Sequence, residues 1–375
     1  MTAVRRLIIP LAIALVACAA PAERPAPSPP SQAAPVCVPV KEPRTVEDLN
    51  AVVAGYREVE GFQGADVGAE VTLQDGRRLW VFGDTVRAPN FAGQRFTHNS
   101  MLIFGPACAT VVIPPDRGAM MPDRPDGVGY WPMSTGVVHR GDHDLVGVAA
   151  QRVRTGASAL EFTHLGPAFA LFEVPRGGMP RLVRMRDMGP DDPDKSHPTW
   201  GAATAVAGDW VYVYGTATPG APKAFGWSLR VARVRIEEIE NPAGWSYWDG
   251  RAWQRDAGRA AEVIPATGGV SQTLSVFSRD GTWYALSKKD DFLGEDLVVW
   301  RAPSPTGPFT PSPPLAKIPS DIEAGRIQYL ALAHPDLLPE PGSVVVSVCQ
   351  NFTDLRRLGD RPYLYRPRFL RVRLP

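Results

Sequence analysis

The chain has 375 residues, enough for one large β-rich domain or two average domains. Its 40 lysines and arginines nearly balance its 39 aspartates and glutamates, so the net charge of +1 excludes strong electrostatic attraction to nucleic acid or an anionic membrane. The 35 glycines and 39 prolines are spread along the chain, which favours many short strands joined by turns over long helices.

Residues 1–17 have the pattern of a bacterial lipoprotein signal peptide. Arg5 and Arg6 precede an apolar run, Leu7 to Ala17, that is too short to span a bilayer. The run ends in Leu15-Val16-Ala17-Cys18, which resembles a lipobox, so we expect Cys18 to be lipidated and to become the first mature residue. An ordinary signal peptide with an incidental cysteine is the alternative. The pattern predicts an exported protein, lipid-anchored to the outer face of the cell membrane.

Residues 18–44 are expected to form a tether. From Ala19 to Pro35 the chain is mostly Ala, Pro, Ser and Gln, which cannot bury enough apolar surface to offset the entropy of ordering. A helix is then predicted from Val46 to Ala54, with Thr45 as its N-cap, because acidic residues fill its first turn. We place the folded domain at residues 45–375.

Three cysteines remain in the expected mature chain after Cys18: Cys37, Cys108 and Cys349. In an exported protein, one disulfide and one free thiol are the simple expectation. Cys37 and Cys108 are the favoured pair because Cys349 lies in an apolar, strand-like run. The histidines and cysteines lack the spacing of metal ligands, so we expect no cofactor, although calcium would suit Asp and Asn side chains near an axis.

Five repeated units fill the rest of the chain. Each has a run of β-branched or aromatic residues, a short polar segment and a second such run, and each follows a weaker strand and a turn that contains Gly or Asp. The paired runs read LWVFGDT and SMLIFG, DLVGVAAQR and FALFEV, WVYVYGT and LRVARV, TWYALSK and DLVVWRA, and SVVVSVCQN and FLRVRL. Five four-stranded sheets are typical of an all-β, five-bladed β-propeller. A large sandwich or jelly roll is the alternative.

Two acids lie on the first hairpin of the first unit, where a propeller would converge on its axis. If the hairpin turns through Gln74-Asp75-Gly76 with Gly76 left-handed, Asp66 stands directly opposite Asp84. A two-residue turn would send the two carboxylates to opposite faces. The three-residue turn also pairs Val71 with Leu79 and Ala69 with Val81.

Opposed like charges destabilise a ladder, so a function for the acid pair is plausible on physical grounds. Glycoside hydrolysis needs two carboxyl groups, one to protonate the leaving oxygen and one to act as base or nucleophile. Close approach raises the pKa of one of them, which then suits the acid. The alternative is that Asp66 and Asp84 only cap turns beside glycines.

The stretch GADVGAEVTLQDGRRLWVFGDT, with Asn99-Ser100 downstream, resembles the opening of the domain of unknown function 4185 family. Shorter similarities follow at Thr199-Trp200-Gly201, Ser304 to Phe309 and Leu332 to Pro335. The resemblance implies a secreted or lipid-anchored propeller related to glycoside hydrolase family 183, whose members cleave D-arabinofuranose polymers internally. It also implies that Asp66 and Asp84 are the catalytic acids.

Further substrate-binding residues are expected near the axis, because aromatic faces stack on sugar rings and amide or imidazole groups bind hydroxyls. For the aromatic candidates, packing between blades is the alternative. The candidates are Asn99, Ser100, Trp131, Trp200, Gln272, Tyr329 and His334.

We therefore predict an exported glycoside hydrolase that acts on a furanoside, D-arabinan-like polysaccharide of the cell envelope. Its expected partners are a polysaccharide or oligosaccharide substrate and, through the lipid anchor only, a membrane; we expect a monomer that does not bind nucleic acid. One alternative is a non-catalytic carbohydrate-binding or scaffolding propeller on the cell surface. A sialidase-like enzyme is a weaker alternative, because it needs an arginine cluster that the sequence does not display.

Overall fold

Five antiparallel sheets succeed one another along the chain in a computed structural model that describes residues 37–375, apart from 57–58, 158–160, 240 and 355. The expected signal peptide and Cys18 lie outside the described residues. The first sheet, in the order β1-β6-β5-β3-β2 with β4 beside β3, contains β1 (Cys37–Pro39), β2 (Gly64–Thr72), β3 (Arg78–Val86), β4 (Phe96–Thr97), β5 (Ser100–Phe104) and β6 (Cys108–Val112). The second sheet contains β7 (Val128–Arg140), β8 (His143–Thr155), β9 (Phe162–Pro175) and β10 (Arg181–Asp187).

In the remaining three sheets consecutive strands pair with each other, except that β20 pairs with β18. The third contains β11 (Thr199–Ala207), β12 (Trp210–Ala217), β13 (Ser228–Arg235), β14 (Ser246–Trp248) and β15 (Trp253–Gln254). The fourth contains β16 (Ser275–Arg279), β17 (Thr282–Lys288), β18 (Asp296–Ala302), β19 (Thr310–Pro311) and β20 (Ala316–Lys317). The fifth contains β21 (Arg326–His334), β22 (Ser343–Phe352) and β23 (Arg368–Arg373).

The first long strand of each sheet is the innermost, and these strands touch in succession: β2 with β7, then β11, β16 and β21, which returns to β2. This closed ring is a five-bladed β-propeller and confirms the fold prediction. In each blade the two apolar runs of the sequence form the second and third long strands, behind the weaker inner strand. Among the described residues, the expected four strands per blade occur only in the second blade; short strands extend the first, third and fourth blades, and the fifth has three strands.

The core lies between neighbouring blades, because the strand side chains alternate between two covered faces. Val81 of the first blade and Val148 of the second share one buried cluster. Leu229 of the third blade and Val298 of the fourth share another. Radial packing of this kind leaves the strand ends, at the two faces of the propeller, free to carry loops.

The hairpin β2–β3 has the predicted turn. The Leu73 N–H donates to the Arg77 carbonyl oxygen (2.8 Å), and Gly76 has a φ of 85°. The predicted pairs Val71–Leu79 and Ala69–Val81 are present. Nearer the axis, two register shifts lie between Ala65 and Ala69, and left-handed backbone at Val67 (φ 67°) and Gly68 (φ 76°) marks a bulge. The bulge removes Asp66 from the simple pairing with Asp84.

Helices are few, as the sequence predicts. The described residues hold α1 (Val46–Gly55), α2 (Arg356–Asp360) and short 3-10 turns at Ile236–Glu238, Pro242–Gly244, Ala257–Arg259, Asp291–Leu293 and Pro362–Leu364. Thr45 caps α1, and its side chain accepts from the Asp48 N–H (3.1 Å). None of the described helices has the length and apolar character needed to cross a membrane.

The segment before α1 belongs to the folded unit. Cys37 and Cys108, the pair named in the sequence analysis, are joined by a disulfide with Cα atoms 5.5 Å apart, and Cys349 is a buried free thiol. Cys37–Pro39 forms β1 at the outer edge of the first blade, paired with β6. The predicted boundary at Thr45 is therefore too late, because a disulfide and a strand pairing hold residues that composition alone assigns to the tether.

Candidate active site

The inner strands of four blades have a bulge towards their N-terminal end. The register shifts occur after Ala65 in β2, after Pro132 in β7, after Trp200 in β11 and after Tyr329 in β21. Bulges re-aim side chains and are common beside active sites. Four of the sequence candidates lie at or next to these bulges: Asp66, Trp131, Trp200 and Tyr329.

Asp66 is held by neighbours from the fifth blade. The Tyr329 hydroxyl donates to Asp66 Oδ2 (2.7 Å), and the buried Tyr365 hydroxyl and the Asp84 backbone N–H also hydrogen-bond the carboxyl group. A Cβ at position 83 would collide with Asp66 Oδ1, so glycine is needed there. Burial raises the pKa of Asp66, although these hydrogen bonds favour its charged form.

Asp84, on the neighbouring strand, accepts a hydrogen bond from Trp131 Nε1 at its Oδ1 (2.7 Å). Burial and the nearby charge of Asp66 raise the pKa of Asp84 to about 8. Asp66 and Asp84 are each of intermediate exposure as whole residues. Because the charge of Asp66 opposes ionisation of Asp84, Asp84 is the member of the pair that is better placed to hold a proton.

A histidine–carboxylate pair, His98 and Asp123, lies near Asp84, and sequence reasoning missed it. His98 Nδ1 lies 3.0 Å from both carboxylate oxygens of Asp123. Burial opposes protonation of His98, but Asp123 and Asp84 raise its pKa. The ring lies against the β7 backbone at Gly129, where a Cβ would overlap it. Its position next to Asn99-Ser100 in the motif was the available signal.

Gln272 lies just before β16 and reaches across the axis to the second blade. Its Nε2 is 2.7 Å from Gln151 Oε1 and 2.9 Å from His164 Nδ1. Gln151 and His164 are both 5% exposed, and their side chains contact each other as well. The sequence offered no pattern for these contacts, because Gln272 lies on a different blade from Gln151 and His164.

Four of the predicted substrate-binding residues lie elsewhere. Asn99 is fully buried, and its amide binds the backbone of Met121 and Tyr130. Ser100 is also fully buried, with its hydroxyl 2.7 Å from Thr85 Oγ1. Neither offers surface to a substrate, so their expected contact with substrate is wrong for this structure.

His334 packs between the fifth and first blades, and Trp200 packs against a side chain of its own blade. His334 is 2% exposed, with Nε2 2.8 Å from Ser347 Oγ and its ring beside Trp80. Trp200 contacts Tyr247, with ring centroids 5.0 Å apart. Both rings contact other side chains of the propeller, and contact of these two residues with a substrate stays a prediction.

The described residues form no cluster of three or more His, Cys, Asp or Glu side chains arranged to hold a metal ion. The candidate site contains the two carboxyl groups and the side chains that hydrogen-bond them. Protein groups alone can supply both the proton donor and the charged carboxylate that acid–base hydrolysis requires.

One solved structure shares the fold over nearly the whole chain, and others are similar to a lesser degree. A protein of Bacteroides ovatus ATCC 8483 that carries a provisional designation as a hydrolase matches with a TM-score of 0.66 and 18% identity, over 94% of this chain and 96% of that one. The catalytic domain of a GH62 α-L-arabinofuranosidase of Coprinopsis cinerea matches with a TM-score of 0.47 and 11% identity, over 90% and 95%. A GH43_1 enzyme of Xanthomonas citri, complexed with xylotriose, matches with a TM-score of 0.45 and 12% identity, over 84% and 88%. At 18% identity the match to the Bacteroides ovatus protein shows a shared fold alone.

A search of curated proteins found no match. The profile of one protein family matches residues 54–374, nearly the whole propeller. It is a different family from the one that the opening motif resembles. The chain belongs to the family described as domain of unknown function (DUF5005).

Proposed function

We propose that this protein is a glycoside hydrolase in which Asp66 and Asp84 are the catalytic pair. The observation that carries the proposal is the convergence of two carboxyl groups with different hydrogen-bond partners: tyrosine hydroxyls and a backbone N–H on Asp66, and the Trp131 indole on Asp84. Paired carboxyl groups whose environments separate their protonation states are the usual basis of glycosidic bond hydrolysis.

Asp84 is the acid in this proposal. It donates its proton to the glycosidic oxygen as the bond from that oxygen to the anomeric carbon breaks, so the leaving sugar departs as a neutral alcohol. The Asp66 carboxylate meets the positive charge that develops at the anomeric carbon, either by bonding to it or by taking a proton from the attacking water. One water is consumed, and the Asp84 proton is restored from the solvent or from that water.

The proposed substrate is a furanoside polysaccharide of the cell envelope, D-arabinan in the first instance. Support comes from the sequence resemblance, whose opening motif contains both acids. The proposed location is the outer face of the cell membrane, with the lipid on Cys18. The disulfide between Cys37 and Cys108 supports export, because disulfides persist in oxidising compartments. Mass spectrometry of Cys18 from the membrane fraction tests the location: an unmodified cysteine contradicts lipidation.

The decisive experiment is hydrolysis of D-arabinan, arabinogalactan and a panel of other envelope glycans by the full chain in detergent, with Asp66→Asn and Asp84→Asn beside it. We expect oligosaccharide release by the wild type and at least a ~10³-fold loss in both variants. Asp209→Asn, in an exposed turn of the third blade, is the control and should retain activity. The enzyme would be rejected in favour of a carbohydrate-binding propeller by two results together. Neither the wild type nor the control would release oligosaccharides, and glycan binding would survive both active-site substitutions.

A further inference from the structure

An aromatic cluster lies beside Asp84 on the second blade. The Trp131 ring contacts Phe162, with centroids 4.8 Å apart, and both approach His164, at 6.1 and 5.2 Å. Trp131 is also the residue whose indole N–H binds Asp84. Phe162 is 39% exposed although it is a large apolar side chain. The cluster thus presents an apolar surface that begins at the carboxyl pair and extends outward.

Three polar side chains contact one another at this cluster, and we call them its floor: Gln151, His164 and Gln272. His164 Nδ1 is 2.5 Å from Gln151 Oε1, which also accepts from Gln272 Nε2. Nδ1 has two contacts, and the shorter one, to a carbonyl oxygen that only accepts, favours a proton on Nδ1 over acceptance from Gln272 Nε2 at 2.9 Å; Nε2 is then an acceptor. Among the described residues, His164 Nε2 has no hydrogen-bond partner in the protein, although the side chain is 5% exposed.

The floor carries no formal charge. Burial, with a smaller effect from Lys195, lowers the pKa of His164 to about 3, so the imidazole is neutral at physiological pH. The glutamine amides are neutral as well. A neutral floor with donors and an open acceptor, under aromatic faces, suits a ligand that has hydroxyl groups and an apolar ring face, which is the chemistry of a sugar.

We propose that Trp131, Phe162 and His164 form the binding subsite for the sugar on the leaving-group side of the scissile bond. The inference rests on the proposed function, since Trp131 links this surface to Asp84, the acid that protonates the leaving oxygen. A sugar seated here has its glycosidic oxygen next to Asp84, with its ring face on the aromatic side chains and a hydroxyl within reach of His164 Nε2. The non-leaving sugar then lies on the side of Asp66 and Tyr329.

The test replaces Phe162 by alanine, because its exposure lets it change without loss of core packing. Val183→Ala is the matched control: it removes a side chain that is 45% exposed on β10, the outer strand of the same blade. The substrates are oligosaccharides of the glycan that the wild type cleaves and the 4-nitrophenyl glycoside of the same sugar, in which nitrophenol leaves without a second sugar. Binding of the oligosaccharides is measured by calorimetry in the Asp84→Asn background.

We expect Phe162→Ala to raise KM and weaken binding for oligosaccharides by about tenfold. The nitrophenyl glycoside should change less than about twofold, and Val183→Ala should change nothing measurable. Equal loss on both substrates, or unchanged oligosaccharide kinetics, would overturn the subsite and leave the hydrolase intact. If the wild type cleaves no glycan, the proposed hydrolase is rejected, and the subsite is tested by binding alone. The subsite is also rejected if Phe162→Ala does not weaken oligosaccharide binding, or if no oligosaccharide binds.

Discussion

The two acids of the site are the same residue type in different surroundings, and the surroundings separate their roles. Asp66 accepts hydrogen bonds from two tyrosines, which favour its ionised form. Asp84 accepts a hydrogen bond from the Trp131 N–H, whereas burial and the nearby charge of Asp66 oppose its ionisation. Such a neutral, partly buried carboxyl group is useful for proton transfer and unfavourable for stability, since the folded state resists a charge that the unfolded chain accepts freely.

We predict that Asp84→Asn raises the stability of the protein at neutral pH. The pKa of Asp84 is about 8 in the folded state, whereas an unfolded aspartate titrates near ~3.9. Between these values the unfolded chain releases the proton and the folded protein keeps it, so the free energy of unfolding of the wild type falls as the pH rises through this window. Asparagine does not titrate. The advantage of the variant should be absent at pH ~4 and reach about 1 kcal/mol or more by pH ~8, seen by thermal unfolding across that range.

Asp75 provides a control of opposite sign. Burial opposes its ionisation, but hydrogen bonds from Arg77 and the Gly177 N–H lower its pKa to about 2. The Asp75 carboxylate therefore stabilises the fold above the unfolded pKa, and that stability is lost as the pH falls through the folded value. Asp75→Asn should lower the melting temperature at neutral pH. Shifts of the same sign in the two variants would contradict the assignment of a raised pKa to Asp84.

At the scale of elements, the hairpin β2–β3 positions the acids through its backbone. The turn and the register of its outer half follow from Gly76 and from the alternation of apolar residues, and both could be predicted. The bulge at Val67–Gly68 could not, because a valine in left-handed backbone contradicts its local preference and is held by tertiary packing. Asn99 and Ser100 misled for a related reason. They share a motif with the acids, but their buried side chains hydrogen-bond the Met121 backbone and the Thr85 hydroxyl.

A pair of glycine substitutions in this hairpin separates activity from stability. At Gly83 the backbone suits alanine, but the added Cβ would meet Asp66 Oδ1, so the carboxyl group must move. A displacement of this kind can reduce kcat/KM by ~10²-fold. At Gly76 the φ of 85° disfavours alanine, but the surroundings are open. Gly76→Ala should therefore cost about 1 kcal/mol of stability and leave kcat/KM unchanged.

Kinetics on the cleaved glycan and thermal unfolding of both variants check this prediction. Wild-type kcat/KM in Gly83→Ala would show that the reaction does not depend on the position of the Asp66 carboxyl group. A loss of activity in Gly76→Ala, which lies at the other end of the hairpin, would show that the assay reports general stability rather than the geometry of the site.

At the scale of the molecule, the five-fold repetition made the architecture predictable, and the site was predictable only in part. Each blade repeats the same order of strands, so counting apolar runs predicts the ring. Contacts between blades do not repeat: Gln272 meets Gln151, and Tyr329 meets Asp66, because the ring brings together segments that are distant in the sequence. Nothing in the local spacing of these residues encodes that meeting. The candidate site is thus a property of the closed ring more than of any one blade.

We predict that α1 supports the closure of the ring, and a substitution in that helix tests this prediction. Asn50 Nδ2 donates to the Phe369 carbonyl oxygen (2.8 Å), and the Phe369 N–H donates to Asn50 Oδ1 (2.9 Å), so the helix completes the edge of β23 in a blade of three strands. Asn50→Ala leaves both backbone groups without partners beside a phenylalanine that is 7% exposed, at a cost of about 2 kcal/mol. Glu47→Gln, exposed on the same helix, should change stability by less than about 0.5 kcal/mol. Because β23 forms part of the last blade, we expect Asn50→Ala to shift one cooperative unfolding transition in calorimetry. An early, separate transition with the main one unmoved would show that α1 covers the edge of β23 without supporting the closure of the propeller.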